Sequence, residues 1–285
     1  MSIIDTKSTS SVALEVQRLF HEMFPKAQAR WQETLFRDTE TFYGGGHPDY
    51  LPCDLRYHDL EHTLQATLCY SRLIAGRCKV RETPKIGPEQ FELGLAAMLL
   101  HDIGYLKLRS DTAGTGAKYG YIHVLRSCSF AASYLPTLGV PLMEVQGVLG
   151  AINCTGPTSE VARMHFRDPI ERMIGCAVAT GDYLGQMAAP DYPDELDILY
   201  REFEESYDYT HVPKSSRSFK SALDLNQRTP DFWTRVVLPK LEDNFQGMYR
   251  YLAQPYPDGP NPYLEDVGKN IAKIKQGSTV DREKK

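Results

Sequence analysis

One segment constrains the fold of this chain more than any other. FELGLAAMLLHDIG, residues 91–104, is apolar on nearly every side. A helix without a polar face must be surrounded by other elements, so this segment predicts a helix in the middle of a domain. It ends on His101-Asp102, and a buried carboxylate without a partner is strongly unfavourable. The partner is either hydrogen-bond donors beside an ordinary core histidine or a bound metal ion, and the dipeptide alone does not distinguish the two.

The rest of the chain also repeats its apolar residues at helical spacing. A first helix is predicted from Ser11 onward and a second over 58–76, where a glycine is expected to end it. Valine and isoleucine form no alternating runs, so the sequence predicts an all-α single domain of about eight to ten helices. Further helical patterns cover 120–135, 141–153, 168–186, 191–206, 215–226 and 230–252, the last of these starting at a Thr-Pro pair.

Four regions follow from these patterns. We predict an N-terminal tail and helix in 1–54 and a core in 55–190. Helices packed on that core are expected in 191–253, and a proline-rich, charged and mobile tail in 254–285.

Composition narrows the function classes. The chain has 285 residues, 42% hydrophobic and 24% charged, with a net charge of -5 and no long basic run, so it gives no strong nucleic-acid signal. The longest apolar runs are too short to span a bilayer. The six cysteines are scattered without a C-x-x-C pair, which is typical of reduced thiols in a cytoplasmic protein. The sequence leaves the oligomeric state open, with a homodimer among the alternatives.

Three apolar helices each offer histidine or aspartate at one point. His58 and His62 are four residues apart and share a helix face, although such a pair alone is usually ordinary surface polarity. Asp182 lies within the apolar segment ERMIGCAVATGDYLGQM, where an unpaired charge is unfavourable. Together with His101-Asp102, these residues favour one shared metal site.

This set resembles the HD-domain superfamily of metal-dependent phosphohydrolases. The order H-x3-H, His-Asp and a distant Asp spans residues 55–190. Within it, YHDLEHT at 57–63 looks like the Y-H-N-x-x-H-A signature of cyclic-nucleotide phosphodiesterases, with Asp59 in the place of asparagine and Thr63 in the place of alanine. The resemblance implies an all-α HD-domain helical bundle. The role of Asp59 stays open between tuning His58 and binding a water.

The resemblance also implies a role for each matching residue. A metal would be ligated by His62, His101, Asp102 and Asp182, and Asp102 would bridge to a second metal. His58 would protonate the leaving oxygen. Nitrogen and oxygen ligands suit one or two divalent ions of Fe, Mn, Mg, Zn, Co or Ni. The implied activity is hydrolysis of a phosphoester or phosphodiester, in a nucleotide or another small phosphorylated molecule, by metal-bound hydroxide.

The second metal position is ambiguous. His123 fits the first additional histidine of two-metal members, although it can also be a polar residue at a helix start. Asn153 and Cys154 stand where the next histidine is expected. The second site is therefore weak, differently ligated or absent. Two alternatives stay open: a di-iron oxygenase that cleaves a C–C or C–P bond, and a non-catalytic ligand-binding module.

Substrate contacts are predicted from four residues. Many signalling members read H-D-x-G-K, but Tyr105 stands in the place of that lysine and Lys107 follows two residues later. The glycine-rich segment 112–121 contributes Lys118, and Arg126 lies one turn after His123. The segment can equally be an exposed connection, and Arg126 can equally pair with an acid on a neighbouring helix.

Overall fold

Ten α-helices and no strand make up the regular structure of the described residues, 4–80 and 82–283, in this computed structural model, which describes only the backbone of 278–283. This confirms the all-α fold. The helices are α1 (Thr9–Met23), α2 (Gln32–Tyr43), α3 (Leu60–Val80), α4 (Pro88–Leu100), α5 (His123–Tyr134), α6 (Leu142–Cys154), α7 (Pro169–Met187), α8 (Tyr192–Tyr209), α9 (Ala222–Phe232) and α10 (Pro262–Glu283).

Helices α3, α4 and α7 pack against one another at the centre of the molecule. Every residue of α4 from Phe91 to Leu100 is buried, which agrees with the apolar pattern of that segment. Helix α1 covers α3, α6 covers α4 and α7, and α10 packs on α7, α8 and α9. One hydrophobic core runs from Val12 to Ile274. The boundaries at 54, 190 and 253 stay predictions.

Two observations concern the environment of the chain. Within the described residues, no helix has the length and apolar content that crossing a bilayer requires. All six cysteines are free, as the scattered spacing predicts.

The close crossing of α3 and α7 sets the position of two candidate ligands. At Gly185 of α7, an added Cβ would lie only 2.6 Å from the Cα of Ala66 in α3. Only glycine lets the two backbones approach this closely. The crossing lies within one turn of Asp182 on α7 and of His62 on α3, so it brings their side chains together.

Helix α3 extends beyond Gly76, and the prediction that it ends there is wrong. The helix continues to Val80. An added Cβ on Gly76 would lie 1.9 Å from the carbonyl oxygen of Tyr251. The glycine therefore allows a close approach of the C-terminal segment to the last turns of α3 and does not cap the helix end.

Replacing Gly76 with alanine is expected to lower the free energy of unfolding by about 2–3 kcal/mol, because the backbone of Tyr251 must move away. Gly268 in α10 is a matched control, since no heavy atom lies within 4 Å of its added Cβ. Gly268→Ala is expected to be neutral or stabilising by about 0.5–1 kcal/mol. Urea unfolding of both variants measures the difference, and equal effects would contradict the packing argument.

The segment after α8 differs from its predicted pattern. A helix start at Pro230 is wrong, because α9 begins at Ala222, where the hydroxyl of Ser221 accepts a hydrogen bond from the backbone N–H of Asp224. Pro230 lies inside α9, and the chain continues through two π-helical turns, Trp233–Val237 and Lys240–Asn244, and a 3₁₀ turn, Met248–Leu252. A proline removes one helical hydrogen bond, and a wider turn after it lets the chain continue.

Two helices are not predicted from the sequence. Helix α2 starts where the carboxylate of Glu92 in α4 accepts from the backbone N–H of Trp31 at 2.9 Å, so its cap comes from a distant residue. Helix α10 lies where we expect a mobile tail. Its residues Val267, Ile271 and Ile274 are buried in the core, and this burial stabilises a helix whose local sequence is mostly polar.

Candidate metal centre

Three helices deliver the candidate ligands to one place. His62 lies in the first turn of α3, and the carboxylate of Asp59 accepts a hydrogen bond from the backbone N–H of His62 at 3.0 Å. Asp59 is thus the N-cap of α3, a position that aspartate and asparagine serve equally well. This accounts for aspartate in the place of the asparagine of the signature. His101 and Asp102 directly follow α4, and Asp182 lies on α7.

The donor atoms are spaced like the ligands of a single ion. Nε2 of His62 and Nε2 of His101 are 3.4 Å apart, and Oδ2 of Asp102 lies 3.3 Å from both. Oδ1 of Asp182 lies 3.3 Å and 3.4 Å from the same two nitrogens. Charge-assisted hydrogen bonds are shorter, about 2.7–2.9 Å. Ligand atoms around an ion with bonds of about 2.1 Å are separated by roughly 3.0–3.4 Å.

The residues present therefore fit a divalent metal. His62, His101 and Asp102 form a buried cluster that could hold an ion, and Asp182 offers a fourth donor. Among the described atoms, Oδ2 of Asp102 is buried and has no hydrogen-bond partner. Nδ1 of His101 contacts the carbonyl oxygen of Met98 at 2.7 Å. Because that carbonyl can only accept, the proton is assigned to Nδ1 and Nε2 keeps its lone pair for a metal.

The electric field of the cluster favours a cation. Burial alone would lower the pKa of His62, but the adjacent carboxyl groups of Asp102 and Asp182 raise it to about 10. Burial alone would raise the pKa of Asp102, yet the neighbouring imidazoles of His101 and His62 hold it well below its usual range. The same two histidines lower the pKa of Asp182. Both carboxyl groups thus stay ionised, and a divalent ion can neutralise them in place of protons.

The second oxygen of Asp102 points to another histidine. Its Oδ1 lies 3.7 Å from Nε2 of His123, whose Nδ1 contacts the carbonyl oxygen of Gly120 at 2.7 Å. Burial lowers the pKa of His123, which favours the neutral imidazole that binds metals. The exposed side chain of Asn153 and the thiol of Cys154 each donate to a carbonyl of their own helix. The structure thus brings His123, but neither of these residues, to Asp102.

A residue that sequence reasoning missed completes the site. Nδ1 of His58 lies 2.6 Å from Oε2 of Glu202 on α8, and the other carboxylate oxygen accepts from the backbone N–H of Tyr57 at 2.9 Å. Glu202 lies in the acidic segment DYPDELDILYREFEESYDY (191–209), and this density of charge predicts a solvent-facing helix. Nothing in the sequence separates it from its neighbours Glu204 and Glu205, but the fold buries it beside His58.

Tyr105 supports two of the histidines. Its buried ring stacks on His58 with centroids 4.6 Å apart and on His123 with centroids 4.4 Å apart. The two imidazole centroids are 6.5 Å apart, so the ring of Tyr105 contacts two neighbouring histidines at once. Arg126 donates to the carbonyls on either side of Tyr105 at 2.6 Å and holds this turn in place. Tyr105 thus contacts two histidines of the site, and Arg126 contacts the backbone on either side of Tyr105. A role of either residue in substrate binding stays a prediction.

The two predicted lysines have carboxylate partners elsewhere. Nζ of Lys107 lies 2.8 Å from Oδ2 of Asp54, and Nζ of Lys118 lies 2.5 Å from Oδ1 of Asp111. Both lysines are buried in these pairs, which anchor the segment 112–121. The structure does not bring either ammonium group together with the four candidate metal ligands.

The candidate site is mostly buried, and its exposure to solvent differs from residue to residue. The side chains of His62, His101 and Asp102 are at most 4% exposed, whereas that of Asp182 is 19% exposed. The imidazoles of His58 and His123 are 18% and 13% exposed. Asp182, His58 and His123 are therefore the residues of the site with the most contact with solvent.

Comparisons with known proteins identify the fold. No family model matches the sequence, and no curated protein matches it in sequence. The structure is similar to the crystal structure of the phosphodiesterase domain of the RhoPDE fusion protein from the choanoflagellate Salpingoeca rosetta, with a TM-score of 0.61 and 15% sequence identity. The match covers 99% of this chain and 94% of that one. The chain therefore has the all-α fold of a phosphodiesterase domain over nearly its whole length.

Proposed function

We propose that the protein is an HD-type, metal-dependent phosphodiesterase that hydrolyses a small phosphorylated molecule. The observation that carries the proposal is the placement of Asp102, which directs one oxygen to His62 and His101 and the other to His123. A carboxylate with this placement can serve one metal position or bridge two. The likeness to a phosphodiesterase domain supports the fold required for this chemistry.

A first metal ion would be held by His62, His101, Asp102 and Asp182. His123 lies beside the second oxygen of Asp102 and could bind a second ion. A divalent ion at this centre would lower the pKa of water and withdraw charge from a phosphate oxygen. The chain contributes a largely buried donor set, because each ligand belongs to a packed helix or the turn after it and only Asp182 is partly exposed. Burial excludes bulk water and strengthens every charge interaction with the phosphate.

His58 is proposed to move a proton to the departing oxygen. Glu202 holds the Nδ1–H of His58, so a protonated imidazole presents its second proton, on Nε2, to the substrate. As water attacks phosphorus, the ester P–O bond breaks and the leaving alkoxide takes that proton. The attacking water releases a proton to solvent, and solvent later reprotonates His58. The anionic Glu202 stabilises the charged imidazole that this cycle requires.

A metal-reconstitution assay tests the proposal. The purified protein is stripped with a chelator, reloaded separately with Mn, Mg, Fe, Zn, Co or Ni, and incubated with cyclic and linear phosphodiesters and with monoesters. We expect metal-dependent release of a phosphomonoester from a diester substrate. No hydrolysis with any metal would contradict the proposal and favour a non-catalytic module, while two irons per chain with oxygen consumption would favour the oxygenase.

A further inference from the structure

The glycine-rich segment 112–121 is fastened to two distant acids. The backbone N–H and the hydroxyl of Thr115 both donate to the carboxylate of Glu205 on α8, the hydroxyl at 2.5 Å. The backbone N–H of Gly116 donates to Oδ1 of Asp54 at 2.8 Å. Hydrogen bonds to an ionised carboxylate are roughly twice as strong as those between neutral groups. These three contacts therefore hold the middle of the segment between α8 and the chain that precedes α3.

Two contacts connect this segment to the metal centre. An added Cβ on Gly116 would lie 2.2 Å from the carbonyl oxygen of Tyr105, so the backbone of the segment lies directly against that residue. The ring of Tyr105 in turn stacks on His58 and His123. At the other end of the segment, Nδ1 of His123 donates to the carbonyl oxygen of Gly120 at 2.7 Å, since a carbonyl can only accept. The position of His123 therefore depends on the segment through a stacked ring and through a hydrogen bond.

Helix α8 connects the segment to the opposite side of the site. Glu202 and Glu205 are three residues apart and share a face of this helix. Glu202 contacts His58, and Glu205 holds the segment 112–121. One helix thus orients His58 directly and His123 through the segment.

His123 can move only slightly without losing a shared ion. Its Nε2 lies 3.7 Å from Oδ1 of Asp102. Two ligand atoms that each bind one ion at about 2.1 Å are at most about 4.2 Å apart. A displacement of His123 away from Asp102 by more than about 0.5 Å would therefore prevent the pair from binding the same ion.

We propose that Glu205 is a positioning residue for the second metal, because it holds the segment 112–121 against α8 and thereby fixes the imidazole of His123. This inference rests on the proposed function, since it assumes an ion beside the second oxygen of Asp102. Groups that orient a metal-binding histidine from outside set its affinity for the metal, and their loss weakens binding by roughly tenfold to hundredfold.

Calorimetric titration of the chelator-treated full-length protein with Mn²⁺ tests the inference without turnover. Wild type is expected to bind two ions per chain. Glu205→Gln loses the negative charge and one acceptor oxygen, so its second ion is expected to bind roughly tenfold to hundredfold more weakly. The affinity for the first ion is expected to be unchanged, because its four ligands lie on or directly after α3, α4 and α7. Glu204→Gln is the matched control, since it makes the same chemical change at a neighbour that pairs with Arg217 at 2.7 Å.

Variants of Thr115 separate positioning from a general loss of structure. Thr115→Ser keeps both donors to Glu205 and is expected to retain the wild-type affinity for the second ion. Thr115→Val loses only the hydroxyl and is expected to weaken the second ion alone, by less than Glu205→Gln does. Thermal unfolding checks that each variant folds, and Thr115→Val replaces Glu205→Gln in the comparison if the latter does not.

Three results would overturn the inference: a wild type that binds a single ion, an unchanged second affinity in the folded variants, or equal weakening of both ions. Selective loss of the second ion in a protein that hydrolyses no diester would support the role of Glu205 while contradicting the proposed function. The two failures are therefore distinguishable.

Discussion

Replacing Asp102 with asparagine is expected to remove the bound metal and to lower kcat/KM by at least about a thousandfold. Asp102 contributes one oxygen beside His62 and His101 and a second beside His123. An amide has no negative charge and only one acceptor oxygen, so Asp102→Asn loses both functions while keeping the size of the side chain. Asp102 is buried, and its Oδ2 has no hydrogen-bond partner within the described structure. The protein therefore offers no other ligand atom at this position once the carboxylate is lost.

Metal content by mass spectrometry and initial rates of diester hydrolysis check this result. Asp59→Asn is the matched control, because it makes the same chemical change three residues before His62. Its expected result is wild-type metal content and activity, since asparagine also caps α3. Full metal occupancy in Asp102→Asn, or loss of metal in Asp59→Asn, would contradict the assignment of these two carboxylates.

Replacing His58 with alanine is expected to lower kcat by roughly a hundredfold to ten-thousandfold while the metal stays bound. Glu202→Gln is expected to lower kcat by about tenfold to a hundredfold, because its neutral amide no longer stabilises a protonated His58. The size of both effects depends on the leaving group. A nitrophenolate leaves without a proton, so its diester is expected to be hydrolysed at nearly the wild-type rate by both variants.

This dependence distinguishes a proton donor from a structural residue. Rates on an alkyl diester and a nitrophenyl diester are compared for each variant, together with metal content. Asp194→Asn is the control, because Asp194 is an exposed acid on the same helix as Glu202. If His58→Ala loses its metal, His58 is a ligand. Equal losses on both diesters with the metal retained would instead contradict proton donation.

The sequence predicts the residue types of the site through local patterns. The apolar segment 91–104 can only be a buried helix, and any acid at its end requires a partner. The spacing of His58 and His62 and the lone acid Asp182 on an apolar helix supply candidates of the right chemistry. These patterns involve residues only three or four positions apart in the chain, so they can be recognised in a single sequence.

The sequence does not predict contacts that join distant segments. Glu92 caps α2 from α4, and Gly76 stays helical because Tyr251 approaches it. Local patterns gave no prediction for the first region and a wrong helix end for the second. The burial of α10 is equally a product of packing, since its polar local sequence resembles a tail.

The sequence by itself determined an all-α fold, a buried central helix and a set of histidines and aspartates suited to a divalent metal. Only the tertiary structure decided how these groups are paired. Glu202 is 144 residues away from His58, and His101 is 39 residues away from His62. Helical periodicity specifies which face of each helix is buried, but which side chains meet there depends on how the helices cross, and no local spacing records that.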